Sequence, residues 1–99
     1  MITQLKQNQF MLELDRVSYF QSYQSIIAKI DYDLEEIEIY QDFEKSQTTG
    51  KYRNKFFDLS GFSELNSTKK LKSALKKGTV KNDFGYDFKI ELNSYCDGF

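Results

Sequence analysis

The sequence predicts an α+β fold: an antiparallel β-meander of three or four strands, two helices packed on one face, and a C-terminal β-hairpin. Three observations predict it. Apolar and polar residues alternate with period 2 through the first 43 residues. After Lys45 the apolar spacing becomes i, i+4, i+7, and alternation returns from Phe84 to Leu92. Period 2 marks a strand with two unlike faces, and a 3.6 period marks an amphipathic helix. Strands followed by helices imply helices segregated to one side of an antiparallel sheet. No linker, repeat or low-complexity tract divides the 99 residues, so 1–99 is expected to form one domain.

The elements follow in order. Phe10, Leu12 and Leu14 share one strand face, with Met11, Glu13 and Asp15 on the other. Asp15-Arg16 serves as a turn. Val17, Tyr19 and Tyr23 then face away from Ser18, Phe20 and Ser22. Ile26, Ala28, Ile30 and Tyr32 alternate with Ile27, Lys29 and Asp31. Asp31 to Glu36 reads as a turn, and Ile37, Ile39 and Phe43 alternate with Glu36, Glu38, Tyr40 and Asp42. One face of this meander is expected to be apolar and the other wet.

Thr48 and Thr49 are N-cap candidates for a helix with Tyr52, Phe56 and Leu59 as its stripe. Arg53, Asn54, Lys55 and Asp58 fall opposite that stripe. Gly61 suits the position after its end, with Phe62 covering it. A second helix fits Ser67 to Lys77, capped by Asn66 or Ser67 and stopped by Gly78. Leu71, Ala74 and Leu75 form its apolar face. Lys76 and Lys77 suit the negative end of its dipole. Thr79 to Lys81 is a short strand, Asn82-Asp83 a turn, and Phe84, Tyr86, Phe88, Ile90 and Leu92 one face of the last strand. Ser94 to Phe99 reads as a frayed tail.

Composition excludes several classes. The mean hydropathy is −0.64, yet 16% of residues are aromatic, which separates the chain from disordered sequences. Zero His and one Cys, Cys96, leave no disulfide framework, common zinc site, Ser-His pair or Cys-His pair. No catalytic residue, metal or cofactor is therefore expected. No run of 18 apolar residues and no leader-like start are visible, so a cytoplasmic protein without a membrane partner is expected. Charge is asymmetric. Residues 1–50 hold nine acids and four bases; residues 51–99 hold ten bases and six acids. Two faces of opposite sign follow, and a homodimer stays open.

Three groups of residues stand out. The acidic set Asp31, Asp33, Glu35, Glu36 and Glu38, with Tyr40, is the candidate partner-binding face. It is not an EF-hand loop: counting from Asp31, Glu36 stands where Gly is needed and Asp42 where Glu is needed. Tyr40 and Phe20 sit on the polar sides of their strands, where an aromatic suggests contact with a partner. The basic set Thr49, Lys51, Arg53 and Lys55 at a helix start, with Lys69, Lys72 and Lys76 on the second helix, could hold an anion or nucleic acid.

The run Tyr19-Phe20-Gln21-Ser22-Tyr23-Gln24-Ser25-Ile26-Ile27-Ala28, followed by Ser46-Gln47-Thr48-Thr49-Gly50-Lys51 and the aromatic helix, resembles an uncharacterised family of small proteins. That family comes from phages, plasmids and other mobile elements of Firmicutes. The resemblance covers about residues 10–60. Ser25 departs from its Thr, and Gln41-Asp42-Phe43 from its Trp/Tyr-Asp-Tyr. It implies a setting beside genes that counter host defences. Two functions are then expected. One is a non-catalytic inhibitor of the anti-CRISPR type, in the host cytoplasm, whose acidic strands block a CRISPR effector or other host defence nuclease sterically. The alternative is a small nucleic-acid-binding module using the basic helix faces.

Overall fold

A computed structural model describes residues 1–94. The proposed frayed tail, with Tyr95 and Cys96, lies outside the described residues apart from Ser94. Five strands run as an antiparallel meander: β1 (Ile2–Lys6), β2 (Gln9–Leu14), β3 (Val17–Ser22), β4 (Ser25–Asp31) and β5 (Glu36–Tyr40). A 3-10 turn, Gln41–Glu44, leads to α1 (Gln47–Leu59), a second 3-10 turn at Ser63–Leu65, and α2 (Thr68–Lys77). β6 (Thr79–Lys81) and β7 (Asp87–Asn93) complete one seven-stranded sheet in the order β1-β2-β3-β4-β5-β7-β6. The class is α+β as expected, but the meander has five strands and the sheet is mixed. β7 lies parallel to β5 and antiparallel to β6.

The register shows which face is buried. Met11, Phe20, Ala28 and Ile39 lie in one cross-strand row, and Ser18, Ile30, Ile37 and Ile90 in another. All eight are buried. Phe20 pairs with Ala28 but Gln21 with Ile26, so Ile27 is one residue extra. This bulge lets Ile27 and Ala28 both reach the interior despite being adjacent. Phe10, Leu12, Leu14, Val17 and Tyr19 therefore point to the opposite face. The expected apolar face of β2 and β3 is not the core face; Met11 and Phe20 enter the core, with Gln9, Ser18 and Ser22 buried beside them.

The meander turns contain no glycine. Asn8, Asp15, Tyr23 and Glu35 take the left-handed conformation instead, with φ of 65, 55, 57 and 56°. Asn and Asp tolerate it well; Tyr and Glu do so at a cost. The expected turn at Asp15-Arg16 is present between paired Leu14 and Val17. Asp31 and Glu36 belong to strands, and the turn between them is residues 32–35.

Both helices cover the core face. Ser46, not Thr48 or Thr49, caps α1 by accepting from the Thr49 amide at 3.1 Å. The buried stripe of α1 is Thr49, Arg53, Phe56 and Phe57, while Leu59 is exposed and Tyr52 half-buried. Thr49 and Ser22 share a buried hydroxyl hydrogen bond of 2.9 Å between α1 and β3. Phe56 stacks on Phe20 with centroids 5.8 Å apart, and Phe62 meets Phe88 edge to face at 4.9 Å. The Phe62 amide donates to the Phe57 carbonyl, and Gly61 (φ 89°) makes the turn that permits it. Ser67 caps α2, Gly78 (φ 82°) ends it, and Leu71 and Ala74 enter the core.

Arg53 was expected on the wet side, yet its side chain is fully buried. Its guanidinium donates to the Phe43 carbonyl (2.6 Å), Asn54 Oδ1 (2.8 Å) and Thr68 Oγ1 (2.7 Å). One planar cation thus ties the 3-10 turn, α1 and the first residue of α2 together. Burial lowers its pKa, and the charge of Glu44 opposes that shift. Arg53→Met should cost about 2–4 kcal/mol in urea unfolding, because the Phe43 carbonyl and Thr68 hydroxyl lose their donor inside the fold. Arg53→Lys should restore little of it, since one ammonium cannot span three acceptors as a planar fork does.

Candidate functional site

The face of the sheet turned away from the helices carries a two-part surface. Directly paired residues lie on the same face, so the rows can be read from the register. One row runs Ile2, Leu12, Tyr19, Lys29, Glu38, Glu91. The next runs Leu14, Val17, Asp31, Glu36, Lys89, Thr79. The β1–β3 half is apolar: Ile2 is 67% exposed, Leu14 51%, and Leu12, Val17 and Phe10 are half-buried. The β4–β7 half is charged, with Asp31, Glu36, Glu38 and Glu91 against Lys29 and Lys89. Strands sit about 4.8 Å apart, so each half is only about 10–15 Å wide and the two are contiguous.

The expected acidic residues divide. Asp31, Glu36 and Glu38 stand together on this face. Asp33 and Glu35 lie in the β4–β5 turn, where Asp31 Oδ1 accepts from the Asp33 and Leu34 amides at 3.0 Å. Asp33 forms a salt bridge with Arg16 of the neighbouring turn. Tyr40 is not a surface contact: it is 2% exposed and its hydroxyl donates to Glu38 Oε2. Phe20 is likewise in the core. β5 is an interior strand, paired with β4 on one side and β7 on the other. The outer strands are β1, five residues long, and β6, three.

The expected basic set also breaks up. Thr49 and Arg53 are buried, which leaves only Lys51 and Lys55 exposed on α1. Lys51 Nζ lies 5.4 Å from the Tyr52 ring centroid. Lys69, Lys72 and Lys76 are exposed on α2, but Lys72 pairs with Glu44 at 2.7 Å. A different basic grouping emerges between α2 and the β6–β7 hairpin, an open cleft of about 890 Å³ lined by Lys69, Lys70, Lys77 and Lys81. The residues opening the last strand were misplaced by their alternation. Phe84 and Tyr86 belong to the turn before β7 and are exposed; Leu92 is exposed as well. Among the described residues, no three acidic or thiol groups converge on a metal position. No helix there is long and apolar enough to cross a membrane.

A two-helix layer on one face of a mixed sheet, with the other face open, defines an α+β protein of the kind that presents a sheet surface. A family of unknown function, DUF8033, matches residues 2–74, and the chain belongs to that family. The matched segment holds the meander, α1 and most of α2, and so the apolar half of the open face with the β4–β5 part of the charged half; the β6–β7 hairpin lies beyond it. Comparison with curated proteins and with solved structures finds no match.

Asp83 fastens the β6–β7 turn to the link between the helices. Its Oδ1 accepts from the Ser63 amide at 2.9 Å and from the Ser63 hydroxyl, and these bonds hold its pKa below the usual value. A depressed carboxylate pKa stabilises the fold fully above the unfolded-state pKa. That contribution is lost as pH falls through the lower folded value. Ser63→Ala should raise the Asp83 pKa toward an ordinary aspartate, read by carbon-detected NMR titration. An unchanged value would show that the serine does not hold the carboxylate.

Proposed function

We propose that the protein is a non-catalytic interaction protein that docks the open face of its sheet on a partner protein. The observation that carries this is the apolar patch of β1–β3 lying directly beside the carboxylates of β4, β5 and β7. Large apolar side chains on an uncovered sheet mark contact surfaces when they form a patch rather than scatter. Stable interfaces combine an apolar centre with a polar rim. Carboxylates at that rim select a basic partner and speed its approach.

The resemblance to mobile-element proteins supports the most concrete form of this reading, an anti-defence inhibitor of the anti-CRISPR type working in the host cytoplasm. Asp31, Glu36, Glu38 and Glu91 would stand where phosphates stand in the basic nucleic-acid channel of a host nuclease or effector. The apolar half would seat on the channel wall, and inhibition would be steric.

The test is capture on tagged protein from nuclease-treated host lysate, followed by binding measurements with the purified target. Ile2→Arg with Leu14→Arg alters the apolar half, and Glu36→Lys with Glu91→Lys the acidic half. Each double variant should weaken binding about tenfold or more while leaving the melting temperature unchanged. A target that binds both variants as tightly as the parent would refute the assignment to this face.

A further inference from the structure

Two aromatic rings stand in solvent at the opposite end of the molecule from β1. Phe84 is 83% exposed and Tyr86 64%. They are not on a loose loop. Asn82 Oδ1 accepts from the Phe84 amide at 3.0 Å and the Tyr86 amide at 2.9 Å. The Asn82 amide donates to the Tyr86 carbonyl (2.9 Å), and the Gly85 amide to the Asn82 carbonyl (3.0 Å). The Asp83 amide donates to the Gly61 carbonyl at 2.8 Å, and the Asp83 carboxylate accepts from Ser63. The turn is stapled to itself and to the helix layer. The backbone that carries the rings is held in place, which lowers the entropic cost of a contact made there.

The same turn borders the cleft beside α2, although the two rings themselves do not line it. Phe84 and Tyr86 alternate with Asp83, Gly85 and Asp87, which line it. Lys69, Lys70 and Lys77 of α2 and Lys81 of β6 also line it. Of the cleft's three carboxylates, Glu64 is exposed, Asp83 is engaged by Ser63, and Asp87 is engaged by Lys81 at 2.9 Å. Among the described residues, Lys69, Lys70 and Lys77 make no salt bridge. Lys70 Nζ is positioned by the Ser63 carbonyl and Asn66 Oδ1. The cleft therefore offers several ammonium groups, and the turn beside it carries two exposed aromatic rings.

We propose that this cleft and turn bind single-stranded nucleic acid, the lysines contacting phosphates and Phe84 and Tyr86 stacking on bases. A basic groove with stacking platforms is the physical basis of sequence-tolerant single-strand binding. In a duplex the base faces are already stacked, so the exposed rings favour the unpaired strand. The lysines act as point charges without the planar fork that reads base edges. The site adjoins the open sheet face at Thr79 and Lys81 but does not rest on the reading given to that face.

The test is fluorescence anisotropy of the full chain with labelled oligothymidine and oligouridine of about 12 nucleotides, beside a duplex of the same length. The single strands should bind more tightly than the duplex. Three phosphate contacts should weaken single-strand binding about tenfold to twentyfold between about 50 and 200 mM salt. Phe84→Ala with Tyr86→Ala should lower affinity about tenfold or more. Lys69→Gln with Lys77→Gln should flatten the salt slope. All four side chains are exposed, so the variants should melt with the parent. The proposal is overturned if neither strand binds at low salt, including the case where the cleft captures an acidic protein instead. It is equally overturned if the duplex binds as well or the aromatic variant binds unchanged.

Discussion

Two helices, each about 10 Å across, lie on a sheet of seven strands about 30 Å wide, so they can shield one face and no more. The rest of the structure depends on that limit. The strands must send enough apolar residues to that one side to build the core, and the bulge at Ile27 adds an apolar side chain to the interior where β4 crosses the middle of the meander. The parallel placement of β7 beside β5 extends the covered face with the buried Ile90 and with Phe88, which meets Phe62. What remains outside is not uniformly polar. Its β1–β3 half is built from Ile2, Leu12, Leu14 and Val17, and its other half from carboxylates and lysines. That division turns a packing limit into a candidate recognition surface.

The helix layer is held down partly by polar groups. Arg53 links three segments through its guanidinium, and the Ser22–Thr49 hydroxyl pair joins α1 to β3. Both lie under the segment in which an anion-binding helix start was expected. The Thr49-to-Arg53 spacing of four serves attachment of the helix to the sheet. A hydrogen-bonding cation buried in the interior rather than displayed on the surface leaves α1 with Lys51 and Lys55 as its exposed bases in that run. The basic grouping moves to α2 and the hairpin as a result.

Much of the architecture was legible. Periodicity located β2 to β5, both helices and the β6–β7 hairpin, and Gly61 and Gly78 marked the helix ends through their positive φ. β1 was missed because its five residues, Ile2–Lys6, show weak alternation. The inward face of β2 and β3 was misread because the outward residues there are the more apolar set, and Ser18 and Ser22 enter the core with Phe20. Arg53 was placed outside because charge suggests exposure, and nothing local announces its three acceptors, one of which lies 15 positions away at Thr68. The site was half legible. Asp31, Glu36 and Glu38 do share a face, but the apolar residues beside them on that face were assigned to the core. Phe84 and Tyr86 continued the period of β7 perfectly well, and only the hydrogen bonds to Asn82 show that the chain turns there.

The central claim is that the protein carries one covered and one open sheet face, the open one with an apolar half. Relaxation of methyl groups by a soluble paramagnetic probe tests it most directly. The account predicts strong relaxation of the Ile2 and Leu14 methyls, intermediate relaxation at Leu12 and Val17, and almost none at Ile27, Ile30, Ile37 and Ile39. Protection of Ile2, Leu12 and Leu14 to the level of the core isoleucines would contradict it. The apolar half would then already be covered in the isolated protein, leaving no surface there for a partner.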